Sequence, residues 1–261
     1  MKSALKRTNI LYHSIRDYKN LLNIISDKGF KASFADEVLD GYKAKILMVS
    51  FSNVALLESR SQINYGDFSL GLTKEWAKEK KLEPVIYTYD KSEIGTTFLD
   101  VISIAGRNQE FLNHIKQNEI SKSMKEGFSL ILDNTLNMLM YVKPTKVFDN
   151  DGEEFIAYND REWRFVHKHG QINPLIFEKN ILTNEYLEPY KGKELKNKPF
   201  TKSIVLPFEL DDLRYVVVKV KEQKKEVIES LSKSFNREDV MQKMVEGDLE
   251  ILVRDTMWDN L

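Results

Sequence analysis

The stretch from residue 46 to residue 89 constrains this chain most. It holds three short runs rich in β-branched and aromatic residues, ILMVSF, DFSLGL and PVIYTY, each of a length that suits a buried strand. Between the second and third, Thr73 stands three residues before Trp76, and Ala77, Lys78 and Lys80 follow, the pattern of a short helix with Thr73 as its N-cap. Gly66 and Gly71 flank the middle run, where a bare Cα allows a turn or the close approach of another backbone or a ligand. The unit therefore reads as the core of a sheet, with polar groups at its strand ends.

The remaining segments read as additions to that sheet. Residues 9–15 form a first strand with His13 near its end, and Asp17 caps a helix reaching Lys28, with Leu21, Leu22, Ile24 and Ile25 on its apolar face and Gly29 as its stop. Residues 31–45 read as a polar loop. After Tyr89 apolar residues recur at three and four, which predicts helices over 96–117 and 125–140, a helical insertion at about 96–140 ended by Pro144. Residues 146–148 and 155–158 around Asn150-Asp151-Gly152 read as a hairpin, and 162–166 as a strand. Residues 174–200 are loop-rich, and the lysines at 191, 193, 196 and 198 suit a solvated connection or a contact with an acidic partner. A strand over 214–220, helices over 221–235 and 239–246, and a strand over 249–253 complete the chain. The fold class is α+β: a mixed, mainly antiparallel sheet decorated by helices, with residues 1–261 as a single domain.

Composition removes several chemistries. The formal net charge is −1, so no global basic field draws nucleic acid, and any such contact needs a local patch. There are no cysteines, which excludes disulfides, thiol nucleophiles and cysteine zinc sites. The basic opening MKSALKRTN is followed by few apolar residues before His13 and Arg16, and no run approaches 18 apolar residues. The expectation is a soluble, cytoplasmic protein with no membrane partner. P-loop, GxGxxG, GxSxG and HExxH motifs are absent. His167 and His169 share one face of an extended segment, but no third ligand accompanies them, so they read as a surface turn and no metal is expected.

Three positions carry both a structural and a chemical reading. His13, at a strand end, is either a hydrogen-bonded histidine of the framework or a donor to a ligand hydroxyl. Ser50 and Ser52 lie opposite Phe51 by strand alternation, where they satisfy local backbone or line a pocket. Glu162, between Arg161 and Arg164, either pairs with an arginine or faces a cleft and hydrogen-bonds a ribose hydroxyl. If exposed, its ion pair is worth on the order of 0 to 1 kcal/mol, and Glu162→Gln is expected to change stability little. Trp76 and Trp163 are expected in the core.

The segments LYHSIRDYKNLLNIISDKGF, YGDFSLGLTKEWAKEKKLEPVIY and DREWRFV, in this order, together with RYVVVKV, resemble the abortive phage resistance family AbiGi. That resemblance implies a bacterial phage-defence context and an antitoxin label within a toxin–antitoxin system. The opening strand ending in Tyr-His, the amphipathic helix and the Lys-Gly-Phe stop are also similar, more distantly, to ADP-ribosyltransferase-like domains. This second resemblance implies NAD as a co-substrate, with ADP-ribose transferred to a macromolecular acceptor or NAD hydrolysed. In that scheme His13 holds the ribose or the nicotinamide amide, Tyr65 or Phe68 stacks on nicotinamide, Ser50 and Ser52 support the pocket, and Glu162 orients the ribose 2′-hydroxyl and the acceptor. The chain departs from the pattern at Phe51, which replaces a small residue, and in the helical insertion before Glu162. The alternative is a non-catalytic antitoxin or partner-binding component of a defence system. Convergence of His13, Ser50 and Glu162 on an open cleft favours the enzyme; scatter, or burial under packed side chains, favours the binding module.

Overall fold

The sheet grows outward from strand β4 (Tyr42–Ser52), the longest among the described strands. Its residues alternate between two cores: Leu47, Val49 and Phe51 enter one, and Ala44, Ile46 and Met48 the other. Burial on both faces is why its sequence is a nearly unbroken apolar run. The computed structural model describes residues 9–39, 42–54, 66–89, 91–97, 100, 122–148, 154–167, 175–177 and 204–257.

Strands β1 (Ile10–Ile15), β3 (Ser33–Leu39), β11 (Glu162–Val166) and β12 (Leu175–Phe177) all pair with β4, each antiparallel. Beyond β1 come β5 (Phe68–Thr73), β14 (Leu213–Val218) and β15 (Glu250–Val253), and β6 (Glu83–Pro84) flanks β11. The order across the sheet is β15-β14-β5-β1-β4-β11-β6. Short pairs surround it: β2 (Gly29–Lys31) with β13 (Val205–Pro207), β9 (Lys146–Phe148) with β10 (Glu154–Ile156), and β7 (Ile86–Thr88) with β8 (Val142–Pro144). Only β14–β15 and β7–β8 run parallel among the described strands. The architecture is the mainly antiparallel α+β arrangement expected from the sequence.

Helices cover one face. The helix α1 (Tyr18–Asp27) is capped by Asp17, whose side chain accepts from the Lys19 N–H, and it ends at Lys28 in the left-handed region. Helix α2 (Lys74–Glu79) is capped by the Thr73 hydroxyl, 3.2 Å from the Trp76 nitrogen. On the other face the end of helix α3 (Lys122–Leu139) brings Leu139 and Met140 onto Ile46 and Val166. Helices α4 (Gln223–Ser234) and α5 (Arg237–Glu246) send Val227, Leu231 and Val240 into the same core as Leu21 and Ile25 of α1, and a short α6 (Arg254–Met257) follows β15. Gly66 has φ +136°, and a Cβ there would collide with the Ile15 carbonyl, so the close approach suggested by this glycine is to backbone. No helix among the described residues is long and apolar enough to cross a membrane.

The expected polar loop over 31–45 is instead β3 and the first part of β4. Its charges are compatible with a sheet because they pair across it: Asp36 stands opposite Lys45 and forms an ion pair with it. The dipeptide Asp40-Gly41 is a hairpin signal that the reading as a loop did not use. Most of the 96–117 helix, the 150–152 turn and the 191–198 lysines lie outside the described residues. Trp76 is in the core as expected, whereas Trp163 is half-buried at its margin.

Trp76 is 1% exposed, its ring centre lies 5.4 Å from that of Phe51, and its indole N–H donates to the Pro207 carbonyl at 3.0 Å. Trp76→Ala leaves a cavity and an unpaired carbonyl, and is expected to cost about 3 to 5 kcal/mol in a denaturant titration. An unchanged midpoint would contradict this packing.

Candidate functional site

The site begins where the sheet splits. Strand β1 pairs with β5 along its whole length, from Ile10 to Ile15, but meets β4 at one residue pair, Tyr12 opposite Ser52. Continued pairing would bring Ser14 opposite Ser50; instead the strands part, and Nδ1 of His13 lies 2.8 Å from the Ser50 carbonyl oxygen. A carbonyl can only accept, so Nδ1 carries the hydrogen and Nε2 of the neutral ring is the lone-pair nitrogen. The imidazole thus takes the place of a missing ladder donor. Its ring packs against Phe30 (4.9 Å between centres) and Phe51 (5.3 Å). Burial lowers its pKa, opposed by the bond to Ser50, so His13 is neutral at physiological pH.

The parting strands open a cleft of about 210 Å³. Its polar lining includes His13, Ser50, Ser52, Glu37, Lys143 and Glu162. Alternation along β4 turns Phe51 into the core and leaves the two serines on the other face, Ser50 exposed and Ser52 half-buried, with the Ser52 hydroxyl donating to the Tyr12 carbonyl at 3.3 Å. Four of the residues singled out from the sequence, His13, Ser50, Ser52 and Glu162, therefore meet in one place. Phe68 does not. It is buried opposite Ile15, with its ring 5.3 Å from that of Tyr18, because β5 directs Phe68, Leu70 and Leu72 alike into the core beneath α1. Tyr65 and His169 lie outside the described residues.

Beneath the cleft is a buried ion-pair cluster, of which sequence reasoning offered the Glu162–arginine pair but not Glu37 or Lys143. Glu162 stands opposite Ser52 on β11, and Arg164 opposite Ser50. Arg164 is fully buried: its Nε donates to Glu162 Oε1 at 2.8 Å, its Nη2 to Glu37 Oε1 at 2.7 Å, and its Nη1 to the Met140 carbonyl at 2.9 Å. The Lys143 ammonium donates to Glu162 Oε2 at 2.9 Å and lies 3.7 Å from Glu37 Oε1. The Glu162 backbone N–H donates to the Tyr87 hydroxyl at 2.8 Å. Two carboxylates and two cations leave the cluster neutral.

Burial by itself would push Glu162 up, but the charges of Arg164 and Lys143 outweigh it and hold the carboxyl at about 2. Glu37 moves the other way: burial raises it, Arg164 and Lys143 oppose, and the nearby Glu162 adds to the rise. Glu162 is thus a fixed anion at neutral pH and has no proton to donate. Of the two arginines beside it in sequence, it pairs with the buried Arg164, while Arg161 is exposed. The expectation that Glu162→Gln barely alters stability fails for this reason, since breaking a buried ion pair costs roughly 3 to 5 kcal/mol. One signal was present: a strand places the glutamate and second arginine of REWR on the same face. Glu37 carried none, because its segment read as a loop.

A family model described as "Putative abortive phage resistance protein AbiGi, antitoxin" matches residues 40–219. The chain belongs to the AbiGi family. Membership places it in bacterial abortive phage resistance with an antitoxin role, which implies a partner. The AbiGi match spans β4 to β14 and so carries Ser50, Ser52, Lys143, Glu162 and Arg164, whereas His13 and Glu37 precede it. No curated protein and no solved structure matches the chain.

The two carboxylates predict opposite responses to acid. Because its folded value is depressed, Glu162 contributes stability that is present above the ordinary carboxylate value of 4.5 and is lost as pH falls toward 2. The raised value of Glu37 favours the fold as pH falls through it. Side-chain carboxyl NMR should show Glu37 titrating above 4.5 and Glu162 still ionised at pH 3. Ordinary titration of both would remove the cluster from the account of the site.

Proposed function

We propose that the cleft is an NAD site, and that this AbiGi-family chain acts in phage defence by transferring ADP-ribose from NAD to a macromolecular acceptor, or to water. The observation that supports this reading is the meeting of His13, Ser50, Ser52 and Glu162, from β1, β4 and β11, on one cleft. A neutral His13 with Nε2 as acceptor suits a ribose hydroxyl or the nicotinamide amide. The serine hydroxyls add donors and acceptors beside it. A carboxylate that stays ionised suits the ribose carbon on which positive charge develops as nicotinamide departs. In this reaction the bond from ribose C1′ to the nicotinamide nitrogen breaks, and its electron pair goes to nicotinamide. The acceptor oxygen or nitrogen bonds to C1′ and releases a proton.

A second reading has its own observation. Both oxygens of Glu162 are already engaged by Arg164 and Lys143, so its charge is compensated where it stands. On this reading the cluster is framework, and the chain is the non-catalytic, partner-masking antitoxin that the family description names.

Turnover separates the two. The pure protein is incubated with NAD carrying a label in its ADP-ribose portion, with and without bacterial lysate as acceptor. Nicotinamide release and label transfer are measured for the parent and for Glu162→Gln, with rates normalised to the folded fraction seen by circular dichroism. The NAD reading expects a loss of roughly a hundredfold or more per folded molecule. Equal rates, or no turnover by the parent, leave the partner-binding reading.

A further inference from the structure

The buried cluster has an inner and an outer cation. Arg164 is the inner one: its side chain is 0% exposed, it bridges both carboxylates, and its remaining Nη1 is held by the Met140 carbonyl. It cannot leave without stripping two buried anions at once. Lys143 is the outer one. Its side chain keeps 14% exposure, lines the cleft, and has one short contact, 2.9 Å to Glu162 Oε2, with Glu37 farther off at 3.7 Å. An ammonium on a flexible four-carbon stem can swing away while β8 stays in place. With both carboxylates ionised and both cations seated the cluster has no net charge; with the lysine withdrawn it carries −1, on the side that faces the cleft. Asp160 also lines this space.

From this asymmetry we infer that Lys143 is a resident counter-ion that a ligand replaces: the cleft takes a ligand whose inserted end bears a single positive charge, and the ammonium yields its place on Glu162 to that charge. The inference rests on the NAD reading for the kind of ligand, since the oxidised nicotinamide ring carries one positive charge and its reduced form carries none. A cationic ring keeps the cluster neutral after the exchange. A neutral ring that displaced the lysine would leave a buried carboxylate short of a partner, so it meets the ion pair intact. The lysine thereby silences Glu162 in the empty cleft and selects against the reduced ring.

The exchange can be tested with two small probes of nearly equal shape, the 1-methylnicotinamide cation and neutral nicotinamide. Titration calorimetry on the parent and on Lys143→Met should show the cation binding the variant about tenfold tighter, because the competitor for Glu162 is gone, while the neutral ring binds both alike. Equal or weaker binding of the cation to the variant overturns the inference, as does failure of the cation to bind either protein. In case Lys143→Met does not fold, the parent supplies a second measurement: reductive methylation of Lys143, read by mass spectrometry, should accelerate when the cation is added and not when nicotinamide is added. A labelling rate indifferent to the cation also overturns it. The two readings fail separately. NAD turnover with an indifferent Lys143 removes the exchange alone, and exchange without NAD turnover removes the catalysis alone.

Discussion

Arg164 is the group around which this structure closes. A guanidinium with no exposure loses its hydration entirely, a cost that only several well-placed acceptors can offset. Those acceptors come from separate parts of the chain: Glu162 two residues back on β11, Glu37 on β3, and the Met140 carbonyl just past α3. Lys143 then balances the second carboxylate from β8. One buried charge therefore requires the β3–β4 hairpin, strand β11 and the α3–β8 connection to arrive together. It also pins register, since a slip of one residue between β4 and β11 would turn Arg164 toward the aromatic core and bring Trp163 or Phe165 into the ion pairs.

The same sheet is divided by a second constraint. Strand β1 is fully laddered to β5 and hardly at all to β4, so the two halves of the sheet diverge at the Tyr12–Ser52 pair. An open gap in a sheet exposes carbonyls that need donors, and His13 supplies one from its side chain. Phe30 and Phe51 wall the imidazole on the core side. The cleft is thus a structural consequence of where pairing stops. Its position over the ion-pair cluster gives it a neutral histidine on one wall and a permanent carboxylate on another.

These constraints bear on the family as well as the fold. The AbiGi match begins at residue 40, so it takes in β4 and β11 with the serines, Lys143, Glu162 and Arg164. The first strand and the first arm of the β3–β4 hairpin, which bring His13 and Glu37, lie before it. Both segments are needed to complete the cleft lining, and Glu37 is needed to satisfy Arg164. A chemical role for the cleft and a partner-masking role for the chain make different demands on Glu162: the first needs its charge available to a ligand, the second needs it only as a brace.

Local chemistry was legible in the sequence wherever the deciding interaction was local. Asp17 and Thr73 cap helices because their side chains reach backbone N–H groups two or three residues on, and the alternation in ILMVSF and REWR sorts residues onto faces whatever lies beyond them. The meeting of His13, the serines and Glu162 stood in the sequence only as one of two outcomes, since spacing alone brings no such strands together. What the tertiary structure decided was burial and partnership. Phe68 went to the core because α1 covers that face of β5, and Glu162 became a buried, doubly paired anion because Lys143 and Arg164 converge on it. Glu37, 127 positions from its arginine, sat in a stretch whose charges read as loop, and they form strand because Asp36 finds Lys45 across the hairpin. The sequence by itself determined strand, helix and cap where the deciding contact is local. Which charges lose water, and therefore which must find one another, depends on neighbours distant along the chain, and only the folded sheet decided it.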